Sequence, residues 1–110
     1  MNWLGVAAAL SGALAIGAGA FGAHGAEKHA AELLRTGGQY QLLHAVAALV
    51  AMQLGARGPG WMFVVGAALF AVSIYGLALG GPRWLGPVTP VGGLLMIAGW
   101  LWLAARFVRP

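Results

Sequence analysis

The sequence predicts an all-α fold: a four-span transmembrane helical bundle, built as one integral membrane domain over residues 1–110. Two observations predict it. Four stretches of about twenty apolar residues fill most of the 110-residue chain, and nearly every charge falls in the gaps between them. A helix rises 1.5 Å per residue, so roughly 20 apolar residues cross a hydrocarbon core of ~30 Å. Composition agrees, with 61% of residues hydrophobic and 7% charged, where a soluble domain carries about 25% charged residues.

The first expected span, residues 3–23, opens at Trp3 with no Lys or Arg before it. Three further apolar stretches follow, so a cleaved secretory signal is not expected. Within this span Gly5, Gly12 and Gly19 recur every seven residues, and Gly5, Ala9, Ala13 and Gly17 every four. Lipid offers little hydrophobic drive between helices, so small residues that let backbones approach mark a packing face. The segment Gly25 to Gly37 holds both acids of the chain, Glu27 and Glu32, with Lys28, His29 and Arg35. Lys28 and Glu32 are four apart and Glu32 and Arg35 three apart, which suits a short amphipathic interfacial helix with Ala26, Ala30, Leu33 and Leu34 on the lipid surface.

The second span is expected over residues 38–56. The third covers 61–79, after a turn marked by Gly58, Pro59 and Gly60, and repeats the small-residue seam with Gly66, Ser73 and Gly80. The fourth covers 90–108, with Thr89 placed to cap its free N–H groups and Pro90 suited to the first helical position. Short links make sequential helices antiparallel neighbours. Orientation is not specified by charge: Arg57, Arg106 and Arg109 share one side with the N-terminus, while Lys28, Arg35 and Arg83 share the other.

The six basic residues are spread over separate gaps and read as membrane-edge anchors facing anionic lipid, not as a nucleic-acid footprint, which needs them clustered on one face. With no Cys in the chain, disulfides, thiolate metal sites and cysteine nucleophiles are excluded.

Polar residues at membrane depth are the natural functional candidates. Tyr40 lies one helical turn before His44, and Gln41 lies three residues before His44, so the three share a face, which Ala48, Ala51 and Gly55 continue. His24 ends the first span at the same expected membrane edge. A neutral imidazole donates one hydrogen bond and accepts one, so His24, Tyr40, Gln41 and His44 form a candidate polar cluster pinning two helices. The competing reading is a proton relay through His24 and His44, since imidazole titrates near pH ~6.5. A third is haem or metal ligation by these two with His29, although the spacing matches no familiar ligand motif. Ser73 is expected to bond back to its own helix, and Tyr75 and Gln53 to approach other helices. No carboxylate lies inside an expected span, no Ser has a base partner, and the glycines form helix seams instead of a phosphate loop. No catalytic residue, metal site or cofactor is therefore expected.

GAFGAHG at Gly19 to Gly25, YQLLHA at Tyr40 to Ala45, SIYGLALGG at Ser73 to Gly81, and TPVGG at Thr89 to Gly93 with Gly99 and Trp100 stand in fixed order along the chain. In these strings the sequence resembles the small membrane proteins of domain-of-unknown-function family 423, which includes the transmembrane protein 256 group. Ala71 and Val72 depart from the Ser and Gly of that pattern. The resemblance implies a four-span integral membrane protein and carries over no activity or cofactor.

The expected function is that of a non-enzymatic multi-pass protein of a plasma or inner membrane. It acts by helix packing with itself or another membrane protein, in contact with the lipid bilayer and not with nucleic acid. The alternative is a small transporter or proton-conducting channel using His24 and His44.

Overall fold

Four helices form in sequence, α1 (Trp3–His24), α2 (Lys28–Gln53), α3 (Arg57–Ala78) and α4 (Leu85–Val108), in a computed structural model that describes residues 1–109. Asn2 starts α1: its Oδ1 accepts the Gly5 N–H at 3.0 Å, satisfying one of the free first-turn donors. Its Nδ2 lies 2.9 Å from Met52 Sδ, which ties the start of α1 to the end of α2.

The charged segment after α1 is not a separate interfacial helix. Glu27 caps α2 by accepting the His29 N–H at 2.6 Å, and the helix then runs unbroken to Gln53. Of the four residues expected on the lipid surface, Ala30 and Leu34 are buried against protein, while Ala26 and Leu33 are half-buried. Leu34 packs on Gly22 of α1, where an added Cβ would stand 3.2 Å from the Leu34 Cβ.

α2 and α3 end in the same way. Gly55 (φ +75°) and Gly80 (φ +84°) take the left-handed conformation that glycine adopts without steric cost. Gly55 N–H donates to Met52 O and Ala56 N–H to Ala51 O, while Gly80 N–H donates to Leu77 O and Gly81 N–H to Gly76 O. Both are Schellman closures that satisfy the last carbonyls. Gly80, expected on a packing seam, is therefore a turn residue. The Gly58–Pro59–Gly60 string lies inside the first turn of α3, where the missing N–H of Pro59 forfeits no intrahelical bond. α4 begins at Leu85, so Thr89 does not cap it and Pro90 sits in its interior, removing one backbone hydrogen bond.

α1 packs chiefly on α2, α2 on α3, and α3 on α4. Each pair is antiparallel, so α1 and α3 run parallel and meet where Leu4 presses on Gly60. Around that meeting point Leu4, Ala8, Ala48, Ala51, Ala56, Phe63 and Val64 form the densest core. Arg106 of α4 closes the same end by donating to Gly55 O at 3.0 Å. Toward the opposite end α1 and α3 diverge and leave an apolar groove of about 610 Å³ between Leu14, Phe21 and Leu79.

α1, α3 and α4 are long and apolar enough to cross a bilayer. α2 falls short of that level because Lys28, Glu32, Arg35, Gln39, Gln41 and His44 crowd its first two thirds. All four helices nevertheless expose large apolar side chains, among them Leu14, Leu43, Val50, Val65, Val72, Leu94 and Leu101.

Candidate functional site

The buried face of α2 carries residues 30, 34, 37, 38, 41, 44, 45, 48 and 51, a continuous stripe at helical spacing that places Gln41 and His44 between its neighbours. Gln41 and His44 are both almost wholly enclosed. Gln41 reaches α3, where Tyr75 donates its hydroxyl to Gln41 Oε1 at 2.6 Å. His44 reaches α4, where Trp100 Nε1 lies 3.0 Å from His44 Nε2. An indole N–H can only donate, so Nε2 must offer its lone pair and the ring proton must sit on Nδ1. Nδ1 is 2.7 Å from the Tyr40 carbonyl oxygen, one turn back on α2, and donates to it. Both ring nitrogens of the neutral imidazole are thereby satisfied.

Aromatic rings enclose this imidazole. Phe63 meets it edge-on at a centroid distance of 5.6 Å, Trp100 does so at 5.8 Å, and Phe63 and Trp100 are 4.6 Å apart. Such edge and tilted arrangements match the quadrupoles of the rings. A third polar tie joins α3 to α4: Ser73 Oγ donates to Phe70 O at 2.9 Å and lies 2.6 Å from Thr89 Oγ1. Ser73 thus makes the expected bond to its own helix and adds one between helices. Ser11 Oγ, buried on α1, is without a hydrogen-bond partner.

His24 does not join the cluster. Gly22 packs against Ala31 and Leu34 while Gly12 packs against Ala45, so exposed His24 stands beside the start of α2, on the order of 15 Å or more along the axis from His44. Tyr40 contributes its carbonyl, while its half-exposed ring packs on Phe70 at 5.0 Å. Gln53 is exposed. The partners that sequence reasoning missed are Trp100 and Thr89, and it left Tyr75 unpaired. Trp100 carried a readable signal: unlike Trp3 or Trp84 it lies mid-helix in an apolar stretch, where its N–H has no water to bond.

The small-residue seams divide sharply. A Cβ at Gly66 would come within 2.9 Å of both Gly92 O and Met96 N, and one at Gly92 would stand 2.6 Å from Gly66 O and collide with Phe70 N. Here backbone lies on backbone. Gly5, Gly12 and Gly19 are only partly buried, and a Cβ there would meet ordinary contacts at 3.5 Å or more, or nothing within 4 Å. The close glycines of the α1–α2 seam are instead Gly22 and Gly38, with the Gly38 position 3.2 Å from Ala15 O.

Apolar outward faces and three helices able to cross a bilayer define a small all-helical membrane protein. The family described as "Protein of unknown function (DUF423)" matches residues 18–93. Relatives include the UPF0382 inner membrane protein YgdD of Escherichia coli, 37% identical with 93% of this chain and 86% of the relative covered. A UPF0382 membrane protein of Staphylococcus epidermidis is 36% identical over 92% and 91%, and one of Schizosaccharomyces pombe 38% over 84% and 91%. The chain belongs to this uncharacterised family of membrane proteins. No solved structure matches it.

Proposed function

We propose that the chain crosses a plasma or inner membrane four times and acts by helix packing, without chemistry of its own, as a homo-oligomer or an accessory subunit of a membrane assembly. One observation carries the reading. Gln41 and His44, the buried polar side chains of α2, are bonded to α3 and α4, with both nitrogens of His44 satisfied, while apolar surface is left facing outward on every helix. The fourth crossing is supported by direction: α1 and α3 run parallel, so a chain that crosses in both must return through α2. The low hydropathy of α2 is offset by burial of Gln41 and His44 against partners.

Extraction in mild detergent or native nanodiscs, followed by mass measurement of the particle, tests the packing role. A defined oligomer or a stable co-purifying membrane protein is expected. A strictly monomeric particle with no partner would contradict it. The transporter alternative needs proton passage between His44 and His24, which stand on the order of 15 Å or more apart along the helix axis. Pure protein in liposomes giving pH-dependent flux that His44→Ala abolishes would overturn the packing reading. Visible absorbance and bound-metal analysis of the same preparation test a haem or metal carrier.

A further inference from the structure

The outward face of α2, opposite its buried stripe, carries Glu32, Thr36, Gln39, Leu43, Val46 and Val50, all exposed. Their spacing alternates four and three residues, the pattern by which two helices pack along a shared seam. The second half of this stripe is apolar and suits lipid, but the first half is polar. Gly38 packs on Ala15 and Gly19 of α1, and Gly37 on Ile74 and Tyr75 of α3. Gln39 therefore stands on the order of 10 Å along the axis from the end of α1 at His24, with Glu32 about two turns nearer that end. At this level α1 and α3 turn Ile16, Phe21 and Leu79 outward. The 22 residues of α1 span about 33 Å, little more than the hydrocarbon they cross, so Gln39 lies within it. The side chains of Glu32, Arg35 and Gln39 take no part in the hydrogen bonds that tie the helices. Polar groups at membrane depth face a protein interior and pair there. An outward amide at this depth is accounted for when its face is the interior of a larger assembly.

We propose that a second copy of the chain covers this face, the two pairing α2 to α2 about a two-fold axis along the membrane normal. Charge and hydrogen bonding choose the partner. Such an axis sets the two helices parallel with like residues level, and every contact occurs twice. An amide both donates and accepts, so the two Gln39 side chains satisfy each other across the axis. Exposed Arg35 flanks the stripe one turn on from Glu32, within reach of Glu32 of the second copy, and its fork of N–H donors matches a carboxylate. The stripe holds acid, cation and amide together and is complementary to itself, whereas acyl chains offer none of these partners. One polar residue among the apolar residues of a helix seam also fixes its register. The inference rests on the packing reading and gives it a partner and a face.

Single cysteines in the cysteine-free full chain, oxidised in the membrane, test the face, and particle mass in native nanodiscs tests the partner. Leu43→Cys should form a disulfide-linked dimer, while Leu94→Cys, exposed on α4, should not. Gln39→Leu, at an exposed position, should keep the fold and lower the dimer association constant about fivefold, as loss of one interhelical hydrogen bond in lipid does. Glu32→Arg sets cation against cation and should abolish the dimer, and adding Arg35→Glu should restore it, which separates lost pairing from lost folding. An undiminished dimer in Glu32→Arg or Gln39→Leu, failure of the paired exchange to restore it, or equal cross-linking at Leu94→Cys would overturn the α2 face and leave the packing role standing. A different membrane protein held in place of the second copy would do the same. A strictly monomeric particle with no partner would overturn both.

Discussion

The α3–α4 seam and the α1–α2 seam are both rich in glycine, yet they use it differently. Between α3 and α4 the backbones touch at Gly66 and Gly92, and Ser73 and Thr89 lie hydroxyl to hydroxyl beside that contact. Between α1 and α2 close approach is confined to Gly22 and Gly38, while Gly5, Gly12 and Gly19 stand at the margin with room for a methyl group. Periodic glycine therefore signals a helix suited to packing without saying which glycines are in contact. In lipid, where association depends on fit, only the contacting ones carry energy.

The same substitution should consequently have opposite signs in the two seams. Gly92→Ala drives a methyl group into Phe70 N and Gly66 O, rigid atoms that cannot swing aside, and should cost about 3 kcal/mol or more. In detergent this would read as a large fall in thermal stability or loss of the folded protein. A mild effect would mean that α3 and α4 are not in backbone contact.

His44 gives the next largest effect and separates hydrogen bonding from volume. His44→Leu removes the acceptor for Trp100 and should cost roughly 1–2 kcal/mol. Gln keeps an acceptor but does not titrate, so His44→Gln should retain the fold much better than His44→Leu. Equal thermal stability of the two variants would contradict the hydrogen-bonded seam, and normal stability with lost function would favour proton transfer.

Gly12→Ala should be the smallest perturbation and of opposite sign to Gly92→Ala. Its Cβ would stand 3.9 Å from the Ala45 Cβ, while replacing a mid-helix glycine gains up to about 1 kcal/mol. Unchanged or raised thermal stability is expected. A clear loss would show that the α1–α2 seam is as tight as its partner.

What the sequence made legible follows from the physics of each signal. Apolar runs announced α1, α3 and α4 because hydropathy is a property of side chains that needs no partner. The start of α2 was misread because Lys28, Glu32 and Arg35 suggested a surface segment. The positions that are buried, Ala30, Leu34, Gly38, Gln41, Ala45 and Ala48, already had helical spacing across the charges. Thr89 and Pro90 looked like a helix start because local capping chemistry is ambiguous; the Ser73 hydroxyl, sixteen residues away, claims Thr89 instead. Tyr40, Gln41 and His44 were found by their shared face, but Trp100 and Tyr75 were not joined to them, because pairing across helices depends on register that spacing within one helix does not carry. His24 was wrongly included for that reason.

The most direct test is the side of the membrane that each link occupies, and the absence of cysteine makes the chain a clean background for it. Single cysteines placed at Asn2, Lys28, Leu54, Arg83 and Arg109 can be probed in sealed vesicles with a reagent that does not permeate. Positions 2, 54 and 109 should react from one side, and positions 28 and 83 from the other. Labelling of 28 and 54 from the same side would mean that α2 does not cross, and the four-crossing account would be wrong.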